Sequence, residues 1–279
     1  MLNRSKAIAI SSLFPEFMNI LILAAGYATR LYPLTENTPK PLLPVAGKPM
    51  VEWVIEQLSS IEGIERLLIV TNAKFEQHFV KWSKEYRQKY QKDTPALPRF
   101  EIVNDGSSSD DDKKGAIGDI HYVLHRENLF DQDLLVVAGD NLFSQSVAGF
   151  AQEAKNHPAT LALYDVGDLE AIKKYNNITT DKKGIITHFE EKPKAPTSTL
   201  TGIALYYYRA DVLSLVDQYV REGNKPDQPG RLIQWLYPRV PVGTWKVPGL
   251  WYDIGSKETL AEANEIFAKE AQKKDKKAD

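Results

Sequence analysis

Arg30, Lys40 and Lys192 supply three cations, and Asp140 and Asp253 two carboxylates, in segments that follow or adjoin short apolar runs. In open parallel sheets ligands sit beyond the carboxyl ends of the strands, so these segments are the first to interrogate for chemistry. Leu23-Ala24-Ala25-Gly26-Tyr27-Ala28-Thr29-Arg30-Leu31 is a small-residue loop whose backbone N–H groups can approach an anion closely. Arg30 then offers two parallel donors to phosphate oxygens. The loop lacks the spaced glycines of a dinucleotide fingerprint and the Gly-Lys-Ser/Thr of a Walker loop, which removes most of the weight of those readings. Alone, it is accounted for by an ordinary turn with a surface arginine. The next segment, Tyr32 to Met50, holds five prolines; it is stiff and non-helical, and it carries Lys40 on a rigid arm.

Asp140 ends the apolar strand of Leu135-Val136-Val137-Ala138-Gly139-Asp140-Asn141. That position suits a Mg²⁺ ligand, because hard cations take carboxylate oxygen and add water and substrate phosphates. By itself a Gly-Asp pair reads as a turn or a helix cap. Trp251-Tyr252-Asp253-Ile254-Gly255 precedes a helix that Ser256 is better placed to cap, which leaves Asp253 without that structural job. Glu190-Glu191-Lys192-Pro193 ends a further strand and reads alone as a solvated rim. The five histidines show no metal-ligand spacing, no Ser-His pair has hydrolase context, and none of them receives a role.

The run Thr29-Arg30-Leu31, Pro33-Leu34-Thr35, Pro39-Lys40-Pro41-Leu42 and Lys48-Pro49 resembles the opening of the sugar-phosphate nucleotidyltransferases, the group that includes glucose-1-phosphate thymidylyltransferase. The resemblance extends from about Met18 to Ile266. It implies that Ala24, Ala25, Gly26 and Thr29 wrap a nucleotide, that Arg30 holds its outer phosphates and that Lys40 sits at the reacting phosphate. Ala28 and Ala25 stand where the family usually has glycine, adding a Cβ where backbone should meet phosphate. The Gly-Asp-Asn and Asp-Ile-Gly motifs imply that Asp140 and Asp253 together hold Mg²⁺. Glu191 inherits a contact to sugar hydroxyls and Lys192 one to the sugar phosphate. Gly202, in Thr201-Gly202, would let the sugar approach the backbone, and Asn176 sits at a turn whose left-handed geometry asparagine tolerates.

Asn104 falls where the family reads the base, and its amide can pair with the edge that thymine and uracil share, which favours dTTP or UTP. The polar stretch Gly106 to Lys114 is read as disordered rather than as a lid, and Gly115 after it is placed with the nucleotide. The implied reaction is an in-line displacement in which the sugar 1-phosphate attacks the α-phosphorus and pyrophosphate leaves; Arg30, Lys40 and Lys192 carry it. Two alternatives stay open: transfer to a non-sugar phosphate such as phosphocholine, and a module that senses nucleotide or sugar phosphate without catalysis.

To position these residues the chain alternates apolar strands with amphipathic helices. Strands are predicted at Asn19 to Ala25, Arg66 to Thr71, Phe100 to Val103 and Leu134 to Ala138; helices at Pro49 to Leu58, along the stripe Phe75, Phe79, Trp82, Tyr86 and Tyr90, and around Ile117, Ile120 and Leu124. Past Asp140 follow a helix around Val147 to Lys155, a strand Thr160 to Val166, a hairpin turning at Asp181 to Gly184, a β run Thr201 to Tyr208 and a closing helix Lys257 to Ala268. The fold class expected is α/β, one Rossmann-like domain with a mostly parallel mixed sheet flanked by helices, of the nucleotide-diphospho-sugar transferase type. Residues 1–17 read as a disordered leader, 18–266 as the domain and 267–279 as a charged tail.

The balance of 35 Lys plus Arg against 37 Asp plus Glu, a formal charge of −2, argues against a nucleic-acid clamp or a polybasic membrane binder. With no cysteine there is no disulfide framework and no thiolate site. No apolar run is long enough to span a bilayer. The sequence therefore reads as cytoplasmic, with a nucleoside triphosphate and a sugar 1-phosphate as partners, no nucleic acid, no membrane, and room for a homo-oligomer.

Overall fold

A computed structural model describes residues 18–90 and 99–278, with side chains described through residue 272. The leader expected over 1–17 lies outside the described residues. In chain order the elements are β1 (Met18–Leu23), β2 (Pro44–Val45), β3 (Lys48–Pro49), α1 (Met50–Leu58), β4 (Ile64–Thr71), α2 (Glu76–Tyr90), β5 (Arg99–Asn104), α3 (Ala116–Glu127) and β6 (Asp133–Ala138). Then come β7 (Asn141–Phe143), α4 (Ala148–Ala154), β8 (Ala159–Asp165), α5 (Leu169–Ile172), β9 (Asn176–Thr180), β10 (Ile186–Glu191) and β11 (Leu200–Tyr208). The chain closes with α6 (Ala210–Arg221), α7 (Gly230–Leu236), β12 (Val242–Lys246), β13 (Trp251–Asp253) and α8 (Lys257–Ala278).

Seven strands form the central sheet in the order β12-β8-β11-β6-β1-β4-β5. The pairs β1–β4, β1–β6, β4–β5 and β12–β8 are parallel; β11 runs antiparallel to both neighbours. Burial on two faces is why β1 is apolar throughout. Ile20 and Ile22 pack toward Val51, Val54, Phe75, Phe79 and Trp82 on one side. Leu21, between them, joins Leu68, Val70, Ile117, Ile120, Val212 and Leu232 on the other, as the alternation of a pleated strand requires. The aromatic stripe of α2 is core packing, with Trp82 and Tyr86 edge-on to Phe100 at 5.9 and 5.4 Å.

A third cluster matters more for the site. Leu31, Leu43, Val45, Met50, Trp53, Leu142, Ile254 and Phe267 pack together, the Trp53 indole donates to the Val45 carbonyl at 2.9 Å, and Ala46 N–H donates to Asn264 Oδ1 at 2.9 Å. The proline-rich arm is thereby fastened to α1 and α8. α8 runs on to Ala278, beyond the closing helix expected over Lys257 to Ala268, and Phe267 is fully buried with its ring edge-on to Trp53 at 5.2 Å. Ser256 caps α8 as expected, accepting from Thr259 N–H.

The hairpin β9–β10 turns at Asp181, whose Oδ1 accepts from Lys183 and Ile185 N–H. It is a separate two-stranded sheet, not part of the main one. Asn176 opens β9 instead of a left-handed turn; the non-glycine residues with positive φ among those described are Ala28, Ala46, Asn128 and Lys192. No described helix is long and apolar enough to cross a membrane.

Candidate active site

The carboxyl ends of β1, β5 and β6 open onto a cleft of about 570 Å³ whose lining includes Ala25, Gly26, Thr29, Arg30, Asp105, Gly115, Asp119 and Asp140. A narrower recess beside it is lined by Ala24, Arg30, Lys40, Asp140 and Gly255. The loop after β1 is held from both sides. Ala24 N–H donates to Val70 and Gly139 N–H to the Leu23 carbonyl, each at 2.9 Å, while the Asn72 side chain donates to Ala25 O at 2.9 Å. A Cβ on Gly26 would meet nothing within 4 Å, so the backbone there is open to a ligand. Ala28 sits at φ 48°, ψ 44°, and its carbonyl is held by the buried Thr35 hydroxyl at 2.8 Å. The alanine that replaces the family's glycine thus occupies left-handed backbone, a strain of about 1–2 kcal/mol.

Gly139 explains how Lys40 arrives. A Cβ there would lie 3.0 Å from Ile22 Cγ2 and 3.1 Å from Pro41 Cγ, so its absence lets the arm seat against the strand end. Lys40 Nζ then forms an ion pair with Asp140 Oδ2. Asp140 is followed by β7, which pairs with β13 so that Asn141 stands opposite Asp253. Asn141 also ties this ribbon to the sheet, donating to Ala204 O at 2.8 Å and accepting from the Trp251 indole at 3.2 Å. The register brings Asp253 beside Asp140, 113 positions away in sequence. Burial first and the Asp140 charge second push the Asp253 carboxyl above its usual range, while Lys40 and Arg30 pull it down. Arg30 reaches over Gly255, whose Cβ would lie 3.9 Å from a guanidinium nitrogen.

Several expected roles are displaced. The Asn104 amide is committed: its oxygen accepts from Gly106 N–H at 2.8 Å and its nitrogen donates to Glu76 at 3.1 Å. The strand-end residue that lines the cleft is Asp105 instead. Gly115 does line it, yet the reason for a glycine is packing. At φ +78° a Cβ would come within 2.7 Å of Asp227 Cα and 2.8 Å of Pro226 O, the segment whose carbonyls accept from the first N–H groups of α3. Gly202 is a packing position too, because a Cβ would strike Leu161 at 2.5 Å and Ile178 at 2.9 Å. The buried Asn176 amide clamps β9 to β11, accepting from Gly202 N–H at 2.6 Å and donating to Gly202 O at 3.0 Å. Its oxygen also accepts from the Thr201 hydroxyl at 3.1 Å.

Glu191 and Lys192 line neither the cleft nor the recess. The Glu191 carboxylate lies against Gly230, next to the cleft-lining Pro229, and Lys192 is the next residue of the chain. Burial raises the Glu191 carboxyl, and Lys192 and Arg231 oppose that. Lys192 itself is held at φ +50° with its N–H on the Tyr175 carbonyl at 2.8 Å.

The loop read as disordered is an organised cleft wall. Asp112 accepts from Ser108 and Ser109 N–H at 3.0 and 2.7 Å, which holds its carboxyl down to about 2, and Asp110 pairs with Lys113 at 2.8 Å. Consecutive Ser and Asp side chains bond the local backbone, so a polar run need not be loose. Asp119 was not singled out by sequence, because an acid in the first turn of a helix usually faces solvent. Here it is 5% exposed, Oδ1 has no hydrogen-bond partner, and burial, then Asp105, push its pKa up to about 8. The folded chain therefore keeps a proton that the unfolded chain releases near pH 4, so stability is lost as pH rises from about 4 to about 8. Asp119→Asn, which retains a donor toward Asp105, should raise the melting temperature at pH 9 and change it little at pH 4. Parallel pH profiles of parent and variant in a thermal-shift series would contradict this.

The nucleotidyl transferase family profile matches residues 19–270. This chain belongs to the nucleotidyl transferase family. It is 26% identical over 251 residues to the bifunctional protein GlmU of Methanocaldococcus jannaschii, covering 90% of this chain and 54% of that protein, so it spans about half the length of that relative. To the UTP–glucose-1-phosphate uridylyltransferase AglF of Haloferax volcanii it is 30% identical over 192 residues, 68% of this chain and 72% of the relative. Among solved structures, UDP-glucose pyrophosphorylase complexed with UDP-glucose superposes with a TM-score of 0.73 at 23% identity, covering 91% and 99% of the two chains. That likeness establishes the shared fold, a mixed α/β sheet with helices on both faces.

Proposed function

We propose that this nucleotidyl transferase moves a nucleotidyl group from a nucleoside triphosphate to a sugar 1-phosphate, with Mg²⁺ held by Asp140 and Asp253. The observation that carries the reading is the convergence of Arg30, Lys40, Asp140 and Asp253, remote in sequence, at the carboxyl end of β1 and β6. The donor set fits a hard cation: two carboxylates meet at neighbouring register positions, and one already has an ammonium against it. When bound, Mg²⁺ neutralises phosphate charge and aligns the two phosphates. The names of AglF and of the solved pyrophosphorylase support a sugar 1-phosphate as acceptor.

The chain's own part is positioning. The open backbone at Gly26 admits the triphosphate, Arg30 supplies parallel donors to its outer oxygens, and Lys40 offsets charge where the α-phosphate meets Asp140. Lys192 receives the sugar phosphate. An oxygen of the sugar 1-phosphate forms the new bond to the α-phosphorus while the bond to the β-phosphate bridging oxygen breaks, and pyrophosphate leaves with that electron pair. The nucleophile is already an anion, so no general base is needed. For the base, Asn104 keeps one N–H and one oxygen lone pair beside its bonds to Glu76 and Gly106 but does not line the cleft, so a preference for dTTP or UTP draws no support from it.

A matrix of the nucleoside triphosphates against several sugar 1-phosphates and phosphocholine, read by pyrophosphate release, tests the proposal. Release should require a triphosphate, a sugar 1-phosphate and Mg²⁺ together. Turnover with phosphocholine and no sugar 1-phosphate, or nucleotide binding without any turnover, would overturn it.

A further inference from the structure

His121 and His125 lie one helical turn apart on α3, and so share a face. This i, i+4 spacing is one that metal ligands use, which corrects the reading that the histidines show no such spacing; the residue that completes the group is on α6. α6 packs along α3 and presents Asp217, whose Oδ1 is 3.0 Å from His121 Nε2 and 2.9 Å from His125 Nε2. The three donor atoms all lie within 4.8 Å of one another. Ligands bound about 2.0–2.1 Å from a tetrahedral Zn²⁺ stand about 3.3 Å from each other. The two carboxylate–imidazole separations are therefore a few tenths of an ångström from that spacing, and the two imidazole nitrogens lie within 4.8 Å of each other. The His125 side chain is 52% exposed, so the group is open to an ion from solvent.

The surroundings hold the three groups in place. Asp217 Oδ2 receives Arg221 Nε at 2.7 Å, which fixes the carboxylate so that Oδ1 alone points at the imidazoles, the kind of outer contact that orients metal ligands. The His125 ring stands edge-on against Phe130 at 4.9 Å. Two neutral imidazoles and one carboxylate suit Zn²⁺ and not Mg²⁺, which prefers an all-oxygen shell.

We propose that His121, His125 and Asp217 form a Zn²⁺ site that clamps α3 to α6, outside the cleft and separate from the Mg²⁺ requirement. Its consequence is mechanical. The first turn of α3 carries Gly115, Ala116 and Asp119 in the cleft wall, so a cation at the middle of the helix fastens that wall to the body of the protein.

The test uses the full chain, stripped with chelator and titrated calorimetrically with ZnCl₂ in millimolar MgCl₂, so that the cleft carboxylates are occupied. One saturable Zn²⁺ equivalent is expected. At a hundredfold excess over Kd the melting temperature should rise by about 5 °C. His125→Ala, at an exposed position, should fold and lose affinity by at least about tenfold; His121→Gln should do the same. Arg221→Gln keeps all three ligands and should retain the stoichiometry. Tetrahedral d–d bands on Co²⁺ substitution should appear in the parent and vanish in His125→Ala. Absence of saturable Zn²⁺ binding by the parent, or unchanged Zn²⁺ stoichiometry and affinity in the two histidine variants, would overturn the proposal.

Discussion

Asp140→Asn and Asp253→Asn should each lower the rate of pyrophosphate release at saturating Mg²⁺ by at least about a hundredfold, the cost of removing one preorganised group that meets developing charge. Stability should move far less. Asp140 is a strand-end residue paired with Lys40, and in Asp140→Asn that ammonium still has Asp253 within electrostatic reach. In Asp253→Asn, a group whose ionisation is opposed by burial and by Asp140 is replaced by a neutral one of the same shape. Melting temperatures within about 3 °C of the parent are expected for both, which corresponds to about 1 kcal/mol in a chain of this size. Activity equal to the parent with Mg²⁺ present would refute the metal assignment. A loss of activity matched by loss of folded protein would reduce both residues to structural roles.

The two phosphate sites should separate kinetically. Arg30 lines the cleft while Lys192 directly follows β10 and does not line it, so the proposed map gives them different substrates. Arg30→Ala should raise KM for the triphosphate by roughly 10- to 150-fold, the equivalent of about 1.5–3 kcal/mol for one hydrogen bond to a charged group. The KM of the sugar 1-phosphate should change little. Lys192→Gly should do the reverse. Glycine is chosen because Lys192 is at φ +50°, where a non-glycine residue stores strain that is kept only when something else requires it. Removing the side chain there should leave the melting temperature equal or higher while KM for the sugar 1-phosphate rises about tenfold. The same defect toward both substrates in both variants would show that the site is mapped wrongly.

The parts of this architecture that were legible from sequence are those where one physical cause dominates. β1, β4 and β6 are buried on both faces, so Ile20 to Leu23, Leu67 to Val70 and Leu134 to Val137 read as unbroken apolar runs. The segments of α6, α7 and β12 carried no such mark; Thr244-Trp245-Lys246 is a half-exposed edge whose strand character comes from pairing with β8. Of the charged residues singled out, the fold brings Arg30, Lys40 and Asp140 to one recess, whereas Glu191 and Lys192 line neither it nor the cleft. Amides and glycines are less legible. Asn104, Asn176 and Gly202 look available in sequence, yet each has a local job that only the partner reveals: an Asx turn, a clamp on Gly202, and room for Leu161. Asp119 was missed because its meaning lies in Asp105, brought to it from another element; the His121–His125 pair is legible as an i, i+4 spacing, and only Asp217 had to come from the fold.

The central claim is that a sugar 1-phosphate oxygen displaces pyrophosphate from the α-phosphorus. It is tested most directly by ³¹P NMR of the protein with a nucleoside triphosphate, glucose 1-phosphate and other sugar 1-phosphates, and MgCl₂. The account predicts coupled resonances of a new nucleoside diphosphate sugar and one equivalent of pyrophosphate, both absent when the sugar 1-phosphate is omitted or when Asp140→Asn replaces the parent. Formation of nucleoside monophosphate and pyrophosphate at the same rate without any acceptor would contradict it, since water would then be the nucleophile and the sugar-phosphate site would have no role.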